Sequence, residues 1–455
     1  MNRRFLLIVL AILGILSLSL YLYTLRIGDL RAHILPFEYV FFALFVIYLL
    51  ALVVVLKAEL PAIPTIAIVV GFALIFRLVL LFSPPTLSDD IYRYVWEGKV
   101  QAAGINPYTT YPASQELRFL RDKSIYPHLS SKESYAPYQP VAQIFFLFIY
   151  LLKADSVFFL KFILILFDMG SIVLIIFILK ELKIDLNRAL IYAWSPLVVF
   201  EIGHGGHVDA LIVFLLLAAV LARLKSKPIL TGVMLGLAIP IKLYPIIMVP
   251  AFLRKRDFKM PVFLAATIGL IYLPYMKAGW QIFRFVFRFQ EGPHFNAGLR
   301  YFLFRVLGGY NVRVDEIFLL FSLVVLTTAS LVVVLKEERT NHEFISHIFF
   351  LAALFVVLAP FLAPWYLIFV VPLLCLKPRP SFLYLSGAVM LSYLLYAYQP
   401  WQLPDWVRYV EYLPFFFLLT LESIFGNRGL SQKLKDDISG ASEGCLDHQA
   451  KSSPP

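Results

Sequence analysis

Eight apolar runs, each close to twenty residues long, constrain the fold of this 455-residue chain more than any other feature. A helix needs about 20 predominantly apolar residues to cross the hydrocarbon core of a bilayer. The runs therefore predict an all-α polytopic membrane protein. They lie at approximately 5–24, 37–56, 63–83, 156–179, 260–277, 315–336, 381–398 and 407–424.

The composition agrees with a membrane protein. Sixty per cent of the residues are hydrophobic and 15% are charged, whereas a soluble domain has about 45–50% apolar and about 25% charged residues. The net charge of +11 does not indicate nucleic-acid binding, because the Lys and Arg residues stand mainly in short links between apolar runs. The two cysteines, Cys375 and Cys445, supply neither a disulfide framework nor a CxxC metal site.

The distribution of charge sets the expected orientation. Arg3 and Arg4 place the N-terminus in the cytoplasm, because basic residues flank the cytoplasmic ends of membrane helices. Three crossings then put a long loop, about 84–137, on the external side. A second external loop is expected at about 278–314.

Shorter apolar runs raise the expected total to about 11–14 membrane segments, some of them re-entrant. The 15-residue run 138–152 is predicted not to cross fully, since Lys180, Lys183 and Arg188 also look cytoplasmic. The shorter runs lie at about 138–152, 189–202, 208–223, 344–360 and 362–376.

The segment 229–253 is predicted to be a re-entrant hairpin. Basic clusters at 223–227 and 254–259 both look cytoplasmic, and prolines inside the segment break a helix. Irregular backbone at membrane depth is tolerated where it lines a protein cavity. Lys242 then lies near the tip of the hairpin, in a polar cavity that faces the external side.

The run LSDDIYRYVWEGKVQAAGINPY, residues 87–108, carries two adjacent acids, Asp89 and Asp90, just after an apolar run. Acids at the mouth of a membrane helix are costly and are usually functional. A carboxylate at this boundary can act as general base toward a hydroxyl. The alternative is that the acids only bind Arg93 or Lys99.

The turn GHGGHVDA, residues 203–210, brings His204, His207 and Asp209 together in sequence. Contact with a charged group of a substrate is one interpretation. Histidines that only cap helix ends are another, and a metal site is a third, although H-x-x-H-x-D is not a standard zinc pattern.

Two further motifs interrupt apolar runs. In AIPIKLYP, residues 238–245, Lys242 either neutralises a lipid phosphate or extends to the membrane surface. In APWY, residues 363–366, Trp365 belongs either to an aromatic belt or to a sugar or lipid contact. Asp168, a lone acid inside an apolar span, is expected to pair with a neighbour.

Some motifs of cytosolic sugar transfer are missing from the sequence. The loops contain no D-x-D, and the chain has neither a GxGxxG unit nor a large soluble domain. Any glycosyl donor is therefore expected to be embedded in the membrane rather than to be a cytosolic nucleotide sugar.

The four motifs at 87–108, 203–210, 238–245 and 363–366, taken in this order, resemble those of the GT-C superfamily. The nearest members are the polyprenol-phosphate-mannose-dependent mannosyltransferases of glycosyltransferase family 87 and its relatives. The resemblance covers about 63–400. It implies an N-terminal helix pair at 1–62 and a GT-C catalytic domain at 63–425. The tail at 426–455 is rich in Gly, Ser, Lys and Asp, and this polar composition predicts a disordered cytoplasmic segment.

The resemblance implies an inverting transfer of a sugar, mannose in the nearest relatives, at the external face of the plasma membrane. The donor is a polyprenyl-phosphate sugar and the acceptor is a hydroxyl of a glycolipid or glycan, with no cofactor or metal assigned. Asp90 is the favoured base and Asp89 the reserve. The expected phosphate-binding residues are Lys242, His204 and His207; the expected substrate-binding residues are Tyr92, Arg93, Trp96, Asn106, Tyr108, Asp209, Tyr244 and Trp365.

A transporter or flippase for a lipid or a lipid-linked sugar is the main competing interpretation. Such proteins also have broken helices and charges within the membrane. Many carry two-fold internal repeats, and this sequence shows no repeat.

Overall fold

The computed structural model describes residues 2–284, 295–309, 312–336 and 340–425. These residues form helices, turns and irregular connections and no β-strand, and eight of their helices are long and apolar enough to cross a membrane. The structure thus confirms an all-α polytopic membrane protein. The predicted tail 426–455 and part of the predicted loop 278–314 lie outside the described residues.

The helices follow one another closely along the chain. We number them α1 Arg3–Ile27, α2 Ile34–Lys57, α3 Ala62–Leu81, α4 Asp90–Ala102, α5 Pro140–Leu152, α6 Val157–Glu181, α7 Leu190–Ala193, α8 Pro196–Val198, α9 Asp209–Leu224, α10 Pro228–Ala238, α11 Val249–Phe252, α12 Lys259–Tyr272, α13 Gly298–Val306, α14 Val312–Leu335, α15 Asn341–Leu358, α16 Val371–Leu376, α17 Pro380–Ala388 and α18 405–425.

The bundle has two ends that differ in their loops. At the loop end, formed by 28–33 and 82–139, the Leu30 N–H donates to Thr86 Oγ1 at 3.0 Å. At the opposite end, which we call the basic end, Asn187 Nδ2 donates to the Leu60 carbonyl at 3.1 Å. Because α6 and α9 pack side by side and both start at the loop end, the links that follow them also lie at the basic end.

Helix α5 is too short to span a bilayer. Its 13 residues extend roughly 20 Å at 1.5 Å per residue, which is less than the bilayer core of about 30 Å. It packs along α4 at the loop end. This length agrees with the prediction for 138–152, and α6 brings Lys180 and Lys183 to the same end as the N-terminus.

The segment 229–253 is a hairpin, as predicted. α10 stops at Ala238, the chain breaks, and a 3-10 turn at Tyr244–Met248 leads into α11. Residues just before and just after this segment line one common cavity at the basic end. At the tip, the carbonyls of Pro240 and Ile241 accept hydrogen bonds from the N–H groups of Val141 and Gln139, so the broken backbone is satisfied.

A buried ion pair joins the centre of the bundle. Arg77 of α3 and Asp168 of α6 have fully buried side chains and contact one another directly. The Tyr192 hydroxyl donates to Asp168 Oδ1 at 2.6 Å, and Arg77 Nη1 donates to the Ala193 carbonyl at 2.8 Å. The expected pairing of Asp168 is confirmed, and the pair fixes α3, α6 and α7 to one another.

Removing the acid of this pair should destabilise the fold strongly. Asp168→Ala leaves the Arg77 charge buried without its counter-charge, which costs about 3–5 kcal/mol. Tyr192→Phe removes only one hydrogen bond to a charged group, at about 1.5–3 kcal/mol. Unfolding free energies measured in mixed micelles test this order. A Tyr192→Phe loss as large as that of Asp168→Ala would contradict it.

Candidate active site

The two adjacent acids at the start of α4 have different surroundings. Asp89 forms a two-pronged ion pair with Arg31, with Nη2–Oδ1 at 2.9 Å and Nη1–Oδ2 at 3.3 Å. The guanidinium of Arg31 also lies over the rings of Tyr396 and Trp401, at 4.8 and 5.5 Å. Paired guanidinium–carboxylate contacts of this kind are geometrically specific. Asp89 is therefore held in a structural contact.

Asp90 has no such partner. Its carboxylate is 29% exposed, and the His207 Nδ1 atom lies 3.8 Å from Oδ2, beyond hydrogen-bond range. Within the described ranges no side chain donates a hydrogen bond to it. The charge of Asp90 is felt by the buried tyrosines around it, which include Tyr94, Tyr138 and Tyr366. Of the two acids, Asp90 is the one available to take a proton.

His207 lies behind Asp90 and is completely buried. Its Nε2 atom is 3.1 Å from Glu201 Oε2, and its ring stacks on Trp365 with centroids 4.4 Å apart. The Tyr393 hydroxyl donates to Glu201 Oε1 at 2.9 Å. Glu201 and Trp365 together fix the position of the imidazole beside the available carboxylate.

The backbone before His207 is shaped for this approach. Val199–His204 is a π-helical turn, a distortion that occurs frequently at functional sites. A Cβ atom on Gly205 would come within 2.8 Å of the Glu201 carbonyl, and one on Gly206 would come within 2.4 Å of Ile91. Gly206 also has a φ of +66°, which favours glycine. Gly206 thus lets the turn contact α4, and Gly205 lets the turn fold closely on itself.

A second charged group stands next to this cluster. Lys242, from the hairpin tip, contacts Asp209 Oδ2 at 2.6 Å, and the Tyr244 hydroxyl donates to Oδ1 at 3.2 Å. The Lys242 ammonium lies 5.4 Å from the centre of the Tyr366 ring, and Tyr366 directly follows Trp365. The Lys242–Asp209 pair is therefore adjacent to the cluster around His207 and Trp365. Among the described residues, no three or more His, Cys, Asp or Glu side chains are grouped to hold a metal ion.

His204 lies away from these groups. Its Nδ1 atom is 2.9 Å from Ser83 Oγ, and its Nε2 atom accepts from the Thr86 N–H at 3.2 Å. Lys161 donates to the carbonyls of Leu80 and Ser83 just beside it. Both ring nitrogens of the buried His204 are engaged with the start of the 82–139 loop. His204 therefore contacts this loop and not the Lys242 group.

Two residues expected to bind substrate instead hold the loop together. Arg93 contacts Glu97 at 2.5 Å and donates to the Ser134 carbonyl at 2.8 Å. Trp96 is buried, with its ring 5.5 Å from that of Tyr126. The structure gives both side chains contacts inside the loop.

Asn106 and Tyr108 also turn inward. The Asn106 side chain accepts from the Tyr108 N–H at 3.1 Å, which is the hydrogen bond of an Asx turn. The buried Tyr108 donates from its hydroxyl to the Tyr138 carbonyl at 2.8 Å. Tyr92 differs, because it is half-buried and stacks on His128 at 4.6 Å. Among the loop aromatics expected to bind substrate, which are Tyr92, Trp96 and Tyr108, Tyr92 is the accessible one, and it lies beside Asp89.

Three contributors to the site were not predicted from the sequence: Arg31, Glu201 and Tyr393. Glu201 carried a usable signal, since it is the one acid in the apolar run 189–202 and intramembrane acids are functional candidates. Arg31 and Tyr393 carried none, because nothing local links them to the acids or to the GHGGH turn.

Comparison with known proteins identifies a related family. The family model of MptA/B, described as "Alpha-(1->6)-mannopyranosyltransferase, N-terminal domain", matches residues 22–254, just over half of the chain. The match starts inside α1, ahead of the boundary expected at residue 62. It contains Asp90, His207 and Lys242 and stops before Trp365. No curated protein matches the chain.

The loop that carries Asp90 is fastened by Lys99 of α4. Its ammonium contacts Asp122 at 2.6 Å and Asp155 at 3.0 Å. Partial burial disfavours the charge on Asp122 and by itself would raise the pKa of this carboxyl. Hydrogen bonds from the N–H groups of Ile125 and Ser124 and from the Lys99 ammonium have the larger combined effect and hold the pKa below its usual range. Burial likewise disfavours charge on Lys99, but the two carboxylates outweigh it and raise its pKa.

Lys99→Met should loosen this loop. Loss of the partly exposed contacts costs about 1 kcal/mol, so amide exchange in 121–129 should accelerate about fivefold. Lys123→Met, at an exposed lysine, should change nothing. The lowered pKa of Asp122 and the raised pKa of Lys99 keep both charges from about pH 4 to about pH 10. The effect, measured by exchange mass spectrometry and corrected for intrinsic rates, should therefore be equal at neutral and mildly acidic pH.

Proposed function

This chain belongs to the MptA/B family of alpha-(1->6)-mannopyranosyltransferases, and from that premise we propose that it transfers mannose from a polyprenyl phosphate to a glycolipid or glycan acceptor. Membership supports a mannosyltransferase activity. The observation that carries the rest of the proposal is the contrast between Asp89, which Arg31 holds, and Asp90, which stands available beside His207.

In the proposed reaction Asp90 is the general base. The acceptor hydroxyl attacks C1 of mannose on the side opposite the phosphate, so the new C1–O bond forms as the C1–O bond to phosphate breaks. The hydroxyl proton passes to the Asp90 carboxylate and polyprenyl phosphate leaves. A single displacement inverts C1. An α-(1→6) product, as in the family's name, therefore requires a β-linked donor and a primary C6 hydroxyl on the acceptor.

Lys242 is suited to the leaving phosphate. An ammonium has three N–H donors, and Asp209 uses one of them. A fixed cation in a water-poor site stabilises the charge that develops on the departing oxygen. The Tyr366 ring lies 5.4 Å from the Lys242 ammonium and is near enough to Asp90 to be affected by its charge, so the phosphate position and the base are close to the same ring.

His207 serves in this proposal as the partner of Asp90. It lies between Asp90 and Glu201, so it can orient the carboxylate and share the proton that the carboxylate receives. Trp365 covers the other side of the imidazole.

The proposed site faces the outside of the plasma membrane. Basic residues collect at the opposite end of the bundle, where the links after α6, α9 and α11 lie together with Arg3 and Arg4. Under the positive-inside rule that end and the N-terminus are cytoplasmic. A donor lipid would then lie with its chain in the bilayer and its sugar at the loop end.

Asp90→Asn should lower mannose transfer by about 10²–10⁴-fold, the usual contribution of a positioned base. Asp89→Asn is the matched control and should keep most of the activity, because its contact with Arg31 is structural. The assay uses the full chain in nanodiscs, with radiolabelled polyprenyl-phosphate mannose and a native lipid extract as acceptor. Undiminished turnover by Asp90→Asn, or a larger loss in Asp89→Asn, would overturn the assignment.

Glu201→Gln should lower kcat roughly 10- to 100-fold with little change in KM for the donor. The substitution removes the negative charge that lies 3.1 Å from His207 Nε2, and a 10- to 100-fold loss corresponds to about 1.4–2.7 kcal/mol of activation free energy. Tyr393→Phe should have a smaller effect of the same kind. Steady-state kinetics at varied donor concentration separate the two parameters. A change confined to KM would show that Glu201 acts on donor binding and not on the base.

The same nanodisc assay distinguishes the competing function. A transporter or flippase for lipid-linked sugar would move labelled donor between leaflets of a proteoliposome without forming a labelled product. That result with the wild type, in the presence of acceptor extract, would replace the transferase proposal.

A further inference from the structure

Trp365, which covers the imidazole of His207, follows a stretch of irregular backbone. Helix α15 ends at Leu358, and the 3-10 turn that carries Trp365 begins at Pro364. The residues between them, 359–363, are not helical, so their backbone groups are not paired in a regular pattern and need other partners. The position of Trp365 therefore depends on what holds this connection.

Asn296 binds the middle of the connection through two hydrogen bonds. The Leu362 N–H donates to the Asn296 carbonyl at 3.1 Å, and Asn296 Nδ2 donates to the Leu362 carbonyl at 3.0 Å. Asn296 is completely buried and has a φ of +40°, a conformation that Asn adopts more readily than most residues. One residue thus satisfies both backbone polar groups of Leu362.

Glu411 of α18 fixes the amide of Asn296 in turn. Its buried carboxyl group accepts from Asn296 Nδ2 at 2.9 Å, so the two N–H groups of this amide serve Leu362 and Glu411. The Tyr412 hydroxyl donates to the Asn296 carbonyl at 3.2 Å. A Cβ atom on Gly298 would come within 2.7 Å of the Tyr412 ring, so the missing side chain lets the start of α13 approach α18.

These contacts are costly in an apolar bundle and have no place in the catalytic steps proposed above. Acids inside membrane helices are expensive and are usually functional, and Glu411 lies in the apolar run 407–424. The Asn296–Leu362 hydrogen bonds end three residues before Trp365. A displacement of about 1 Å in a catalytic site can lower a rate about 100-fold, so a fixed connection matters for the ring that stacks on His207.

We propose that Asn296 and Glu411 are positioning residues of the candidate active site, which hold the connection 359–363 so that Trp365 covers the His207 imidazole. This inference rests on the proposed function, because its effect on turnover passes through His207. The competing interpretation is that the network only stabilises the packing of α18. That role would change the amount of folded protein and leave the turnover of folded protein as it is.

The test is a double-mutant cycle in the nanodisc transfer assay, with kcat referred to folded protein. Asn296→Gly removes the amide but keeps a residue that tolerates positive φ, and Trp365→Leu removes the ring through which Asn296 acts. Glu411→Leu removes the acceptor, whereas Glu411→Gln keeps an oxygen that can accept from Asn296. Ser381→Ala is the matched control, because it removes a hydrogen bond from a buried hydroxyl to Glu422, about three turns further along α18.

Asn296→Gly and Glu411→Leu should each lower kcat about 10- to 100-fold with little change in KM for the donor. Glu411→Gln and Ser381→Ala should stay near the wild type. In the Trp365→Leu background, Asn296→Gly should cause no further loss, because residues that act through one another are not additive. Additive losses, an unchanged kcat in Asn296→Gly, or an equal loss in Ser381→Ala would overturn the proposal.

Amide hydrogen exchange separates this inference from the transfer reaction. Exchange in peptides that cover 360–367 should accelerate in Asn296→Gly and Glu411→Leu and not in Ser381→Ala, whether or not mannose is transferred. Accelerated exchange in a protein whose wild type transfers nothing would reject the transfer reaction and support the hold of the network on Trp365. Transfer by the wild type with unchanged exchange in both variants would reject the positioning role alone.

Discussion

Buried ion pairs between helices hold this apolar bundle together. Arg77 meets Asp168, Lys242 meets Asp209, and Arg300 meets Asp315. Each pair joins two different elements, and breaking it would leave an ion unpaired in this medium at a cost of several kcal/mol.

The same pairing of charges singles out the proposed base. Arg31 meets Asp89, whereas Asp90 stands 3.8 Å from an imidazole and has no cationic partner of its own in the described part of the chain. An acid that is accessible and has no counter-charge at the mouth of the bundle is available for chemistry.

Features with a local cause were predictable from the sequence. Apolar length located seven of the eight helices that are long enough to span a membrane, proline spacing and paired basic clusters indicated the 229–253 hairpin, and the short run 138–152 indicated a helix too short to span. Lys242 was placed at the hairpin tip for the same reason. Hydropathy and charge bias depend on neighbouring residues along the chain, so both can be read from the sequence without knowledge of the packing.

Contacts between distant residues were not predictable. Arg31 and Asp89 are 58 residues apart, and Tyr393 and Glu201 are 192 apart. A polar residue in an informative motif, such as Arg93 or Tyr108, looks the same in sequence whether it contacts a substrate or its own loop. Which of these applies depends on packing, and no single sequence without relatives reports packing.

The candidate site draws on segments from one end of the chain to the other. Asp90 and His207 are made early, but Trp365 covers the imidazole and Tyr393 anchors its acid only once the later helices are in place. During synthesis Asp90 and His207 are therefore inserted long before Trp365 and Tyr393. A nascent chain halted partway would hold the proposed base without these contacts, so the candidate site is completed only when the last helices are in place.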